Sequence, residues 1–187
     1  MSREFPDLLN PSKAADGRRT FQGTMPLQRM RRLVALLAPR DQSDRVGSRA
    51  GWNDPWFRAD FAHDAQGNVI VELWVEAELP LVCQRSLQPY LEPVKRHSLL
   101  AVVERIEEQD LLPEHYEPVL VEQGRMALLE VVEDELLLAV PQVPRDPAVG
   151  EVDLSTDGAP AAPVESKTEP TRRPFEGLAG LLKKGNE

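Results

Sequence analysis

The sequence predicts an α+β fold: an antiparallel meander sheet of about four to six strands packed by two main helices. Three observations lead there. Apolar and polar residues alternate from Trp56 to about residue 104, two segments flanking that stretch carry apolar residues at helical spacing, and a proline-rich stretch follows the second of them.

Near the N-terminus, Thr24 suits a helix cap and Pro26 a first turn, after which Leu27, Met30, Val34 and Leu37 recur at 3, 4, 3 spacing until Pro39. A helix over 25–38 buries those four and turns Arg29 and Arg32 outward, with Arg31 on the flank. Residues 40–55 hold Asp41, Gly47, Gly51, Asn53, Asp54 and Pro55 and read as loop. The period then becomes two. Phe57, Ala59 and Phe61 alternate with polar neighbours, Asp64 to Asn68 make a turn, and Val69, Val71, Leu73, Val75, Ala77 and Leu79 share one face of a long strand. Ile70, Glu72, Trp74, Glu76 and Glu78 form its wetter face. Two further antiparallel strands are expected from Leu81 to about Leu91 and from Val94 to Glu104, with a turn between Pro89 and Pro93.

Residues 105–118 are acidic and contain Pro113 and Pro118, which suits a surface excursion; Val119 to Val121 can form one more short strand before Gly124. A second helix follows from about Met126 to Val140, with Leu129, Val132, Leu136 and Val140 at 3, 4, 4 spacing and Pro141 as its stop. Its expected exposed flank is Glu130, Glu133 and Asp134, with Leu137 among them. One domain therefore spans 1–141. Seven prolines between Pro141 and Pro174 mark a disordered linker over 142–173, and Phe175, Leu178 and Leu182 suggest a short helical motif over 174–187.

With 22 basic and 31 acidic residues the formal charge is −9, distributed as +4 over residues 1–60, −2 over 61–103, −13 over 104–169 and +2 over 170–187. A chain this acidic is a poor non-specific ligand for nucleic acid unless its basic N-terminal third is presented alone. A single cysteine excludes an intramolecular disulfide and a thiolate-rich zinc site within one chain. No apolar run approaches the ~20 residues of a membrane span, and charges occupy the start of the chain where a signal peptide would be apolar. A cytoplasmic protein with no membrane contact is expected.

Chemistry is sparse. His63, His97 and His115 are far apart and outside any metal-binding spacing, and phosphate-cradling glycine loops and nucleophile elbows are missing. No cofactor or small-molecule substrate is indicated. Glu133-Asp134-Glu135 is the densest carboxylate cluster, but successive helix positions diverge by about 100°, so Glu133 and Glu135 do not converge on one atom. Cys83, two residues from Arg85, reads as a small buried hydrophobe or, less simply, as an activated thiol. Trp52, Trp56 and Trp74 suit either sheet packing or stacking on bases.

Several stretches resemble the YceD family of large ribosomal RNA subunit accumulation proteins. They are Asn10-Pro11-Ser12-Lys13-Ala14 with Arg19 and Phe21-Gln22-Gly23, then Leu81-Val82-Cys83-Gln84-Arg85, and Leu112 to Pro118 before the helix Leu128 to Pro144. Pro174-Phe175 to Lys184 completes the set. The departure is Ser86, where many relatives have the second Cys of a pair, so a metal knuckle does not carry over. The resemblance implies a non-enzymatic role in synthesis, processing or stability of the large-subunit (23S) ribosomal RNA. On the charge split, Arg18, Arg19, Arg29, Arg31, Arg32 and Arg85 become candidates for contacting an RNA precursor or an acidic partner. Glu130, Glu133, Asp134 and Leu137 become candidates for a basic ribosomal or assembly protein. Two alternatives stand beside this adaptor: a metal-dependent RNA-processing enzyme using the acidic helix, and a protein-binding partner without RNA contact.

Overall fold

In the computed structural model, residues 6–39 and 53–150 are described. The rest of the predicted loop and linker, and the predicted terminal helix over 174–187, lie outside them. The architecture is α+β, as the periodicities predict. A five-stranded sheet in the order β1-β2-β3-β4-β5 comprises β1 (Thr20–Thr24), β2 (Trp56–His63), β3 (Val69–Val82), β4 (Pro89–Val103) and β5 (Glu117–Leu120). The first four strands run antiparallel, and β5 pairs with β4 in parallel. Among the described residues, three helices, α1 (Pro11–Asp16), α2 (Arg31–Val34) and α3 (Leu128–Ala139), accompany the sheet together with two 3-10 turns.

Alternation decides which face is covered. Phe57, Ala59, Phe61, Val71, Leu73 and Val75 are buried against Ala14 and Ala15 of α1, Leu33 of α2, and Val132 and Leu136 of α3 in one hydrophobic core. Phe21 packs edge-on against Phe61 at 5.7 Å. The opposite face of β2, β3 and β4 carries Arg58, Trp74, Glu76, Lys95 and His97, and none of the helices among the described residues packs on it.

Three local expectations are corrected. The 25–38 segment is not one helix: Thr24 ends β1, Leu27–Arg29 is a 3-10 turn, and Met30 at φ −83°, ψ 78° breaks the backbone before α2. Leu27, Met30 and Leu37 are nevertheless buried, but Leu33 takes the buried place expected of Val34, which is half-buried, so the break at Met30 shifts the apolar stripe by one residue while tertiary packing still covers it. The hairpin turn lies at 83–88, not between Pro89 and Pro93. There Leu87 adopts a left-handed φ of 56° and donates to the Cys83 carbonyl at 2.8 Å. Pro80, Pro89 and Pro93 fit inside strands because, among the described residues, no third strand pairs with this distal part of the β3–β4 ribbon; β2 reaches only as far as Glu76 and β5 begins opposite Leu100. Finally, part of the stretch assigned to the linker, residues 142–150, holds to that turn. Gln84 donates to the Pro144 carbonyl at 2.9 Å, and Arg85 Nη1 donates to the carbonyls of Val149, at 2.9 Å, and Gly150.

Cys83 is sealed beneath this junction, with the Asp146 N–H 3.3 Å from its Sγ. Hydrogen bonds from the Ser86 hydroxyl and N–H, then from the Asp146 N–H, outweigh burial and pull the thiol down to about 7. It is a buried residue, not an exposed nucleophile.

Candidate partner-binding groove

The N-terminal and acidic segments, expected to present separate charged surfaces, meet. Arg32 Nη2 lies 2.9 Å from Glu133 Oε2, and its Nη1 lies 2.6 Å from Asp134 Oδ1. Glu133 is 5% exposed, which corrects its expected place on a solvated flank. Its Oε1 accepts the backbone N–H groups of Arg32 at 2.7 Å and Leu33 at 3.1 Å, so a side chain from α3 caps the first turn of α2. Hydrogen bonding to Glu133 raises the Arg32 guanidinium further, against a smaller opposing effect of burial. On the next helical bearing, Glu135 is equally buried and accepts from Arg96 Nε at 2.7 Å and Ser98 Oγ at 2.6 Å.

Of the three consecutive carboxylates, two therefore meet on Arg32 and the third turns to the sheet. Glu133 faces α2, Asp134 the guanidinium of Arg32, and Glu135 the inner face of β4. Among the described residues no group of three or more His, Cys, Asp or Glu side chains is placed to share a metal ion.

Two of the predicted acidic residues do border a concave surface. Between β5 and α3 runs a groove of about 710 Å³, which Leu8, Leu120 and Leu138 line. These leucines are 52%, 54% and 66% exposed, a concentration of aliphatic surface that a solvated face does not need. Glu117, Glu122, Glu130 and Asp134 also line it, and Arg125 is the one cation lining it among the described residues. Leu137, expected on this exposed flank, is instead half-buried against the core; Leu138 takes that place, one helical step of about 100° further round.

The groove has a structural origin. Backbone hydrogen bonds between Leu9 and Met126, at 3.0 and 2.8 Å, hold the N-terminal segment beside the start of α3 and bring Leu8 to the groove wall. Val121 donates to the Val103 carbonyl at 2.9 Å, continuing β5 along β4 as the opposite wall. Sequence reasoning missed Leu8, Glu117, Leu120, Glu122 and Leu138, which share a surface only through these long-range pairings.

The predicted basic residues do not form one cluster. Arg29 pairs with Asp7 at 2.5 Å, Arg32 with α3, and Arg85 with the 149–150 backbone, while Arg18, Arg19 and Arg31 are exposed.

The family model for the large ribosomal RNA subunit accumulation protein YceD matches residues 71–182, which take in β3, β4, the groove walls β5 and α3, and the segment beyond. The chain belongs to the YceD family. It is 33% identical over 134 residues to the large ribosomal RNA subunit accumulation protein YceD of Haemophilus influenzae, covering 71% of this chain and 76% of that one. No solved structure matches it. Among the described residues no helix of this YceD-family chain is long and apolar enough to cross a membrane.

Proposed function

We propose that this protein is a non-enzymatic, cytoplasmic assembly factor that supports accumulation of the large-subunit (23S) ribosomal RNA by binding, with the β5–α3 groove as its protein-docking site. The observation that carries the reading is the conjunction, in a chain of this family, of three exposed leucines in a groove with carboxylates along it. That chemistry suits a cationic segment with two or three aliphatic anchors, as on a ribosomal or assembly protein. Aliphatic side chains displace water from the leucines while Lys or Arg meet Glu117, Glu122 and Glu130. A non-catalytic role accords with the engagement of Glu133 and Asp134 by Arg32 and of Glu135 by Arg96 and Ser98.

The test is co-sedimentation of purified protein with large-subunit precursors, repeated after nuclease treatment, for wild type and Leu138→Asp. The expected result is association that Leu138→Asp abolishes and that persists on nuclease-released protein. Free migration of the wild type at low salt, or unchanged association of Leu138→Asp, refutes the groove as docking site.

A further inference from the structure

The sheet face turned away from α1, α2 and α3 carries a second concave surface separate from the groove. The cross-strand register sets Arg58, Trp74 and His97 in one row over β2, β3 and β4, and Trp56, Glu76 and Lys95 in the next. Within the first row the Trp74 indole and His97 imidazole stack at 4.9 Å with 9° between their planes, and the Arg58 guanidinium lies 5.5 Å from the indole centroid. A shallow hollow of about 510 Å³ opens over both rows. Trp56 is 38% exposed at its edge.

We propose that this hollow binds a nucleobase of single-stranded RNA, stacked on the Trp56 ring beside the Arg58–Trp74–His97 row, with its phosphates met by Arg58 and Lys95. Two features favour RNA over a protein segment. Among the described residues the hollow has no aliphatic side chain in its lining, so it offers ring faces and no pocket for a leucine or valine anchor. Apart from Arg96, its lining also holds two cations to one carboxylate, with Asp60 and Glu72 at the rim pairing Arg58 and His97. Arg58 and Lys95 stand against Glu76, while the Arg96 charge is answered by Glu135 on the other side of the sheet. Arg58 and Lys95 now hold Asp60, at 2.8 Å, and Glu76, at 3.3 Å, through exposed ion pairs, which cost little to exchange for phosphate. Glu76, once released, accepts from an exocyclic base amine. Stacking is sequence-tolerant, because every base has a π-face. With two cations available, affinity falls with salt at a log–log slope of only about −1.4.

The experiment titrates the full chain with a ten-nucleotide purine-rich single-stranded RNA at low salt, reading intrinsic tryptophan fluorescence and RNA anisotropy together. The expected result is quenching that parallels the anisotropy rise. Trp56→Ala weakens binding by roughly 5- to 150-fold, the range for loss of one base–aromatic stack. Lys95→Glu weakens it and flattens the salt slope by about 0.7. Trp74→Phe, which keeps a ring at the half-buried position, retains most of the affinity, and circular dichroism of each variant checks its fold. Leu138→Asp leaves RNA binding unchanged, which separates this site from the groove. No binding by wild type at low salt overturns the proposal, as does equal affinity in Trp56→Ala and Lys95→Glu. Competition by a basic peptide that leaves the groove variant unaffected also overturns it, since it makes this face a protein site.

Discussion

Glu133→Ala separates a structural carboxylate from a surface one. In the folded protein its Oε1 satisfies the Arg32 and Leu33 N–H groups, and its Oε2 takes Arg32 Nε at 3.2 Å and Nη2 at 2.9 Å. Truncation leaves the Leu33 N–H buried without an acceptor, at about 1–3 kcal/mol, while the Arg32 N–H, beside an exposed side chain, is partly rehydrated. Together with the lost cap, the variant is expected to lose about 2–4 kcal/mol, a fall in Tm of about 5–15 °C for a domain of this size. Arg32→Ala behaves differently. Its side chain is 53% exposed, and the carboxylate it leaves still has two backbone donors, so the expected loss is under about 1 kcal/mol. Urea denaturation followed by circular dichroism measures both. A Glu133→Ala protein within ~0.5 kcal/mol of wild type, or an Arg32→Ala protein as damaged as Glu133→Ala, refutes the reasoning that Glu133 acts as the cap of α2.

Arg96→Ala strands the buried Glu135 carboxylate with only the Ser98 hydroxyl, and urea midpoints should show a loss of roughly 2–4 kcal/mol, against about 1 kcal/mol for Ser98→Ala. Cys83 titrates lower when folded, at about 7, than in the unfolded chain, so between pH 7 and 9 the unfolded state binds more protons and stability rises with pH. That rise, read from urea midpoints across the window, should vanish in Cys83→Ala and shrink in Ser86→Ala. Iodoacetamide should label the thiol far faster in denaturant than in the native protein, because Cys83 is sealed from solvent. Leu138→Asp, at a position 66% exposed, should move the urea midpoint by under ~0.5 kcal/mol, so any loss of association it causes is not a loss of fold.

Much of the fold was written in short-range pattern, and its errors have local causes. The alternation at Phe57, Ala59 and Phe61, and from Val69 to Leu79, located β2, β3 and their buried face, because period two places every second side chain on one side. The β3–β4 turn was misplaced because Pro89 and Pro93 act as turn signals except where a strand has a neighbour on one side only, a fact that belongs to the sheet and not to the segment. The break at Met30 was hidden because both Leu33 and Val34 are apolar, so the spacing continues through Val34 although it is Leu33 that the interrupted backbone buries. The site was less legible. Glu133 reads as solvated until Arg32, 101 residues away, closes on it, and Leu8 and Leu120 gain meaning only beside Leu138. Glu130 and Asp134 were visible because they lie away from the apolar stripe and, unlike Glu133, are not drawn inward by a tertiary contact.

Joining α2 to α3 changes what the +4 and −13 blocks can do. Charges consumed at the Arg32, Glu133 and Asp134 junction, and at Arg96 with Glu135, are lost to any partner, so the contrast between the two ends is smaller in the folded protein than along the chain. What stays available to the proposed partner at the groove is Glu117, Glu122 and Glu130 beside three exposed leucines. Screening acts on the exposed carboxylates over a Debye length of about 8 Å at physiological ionic strength, whereas aliphatic contacts are not screened. For a basic segment entering there, added salt slows arrival through the carboxylates more than it hastens departure from the leucines. Association governed in this way would be fast, selective for cationic segments and held mainly by apolar contact.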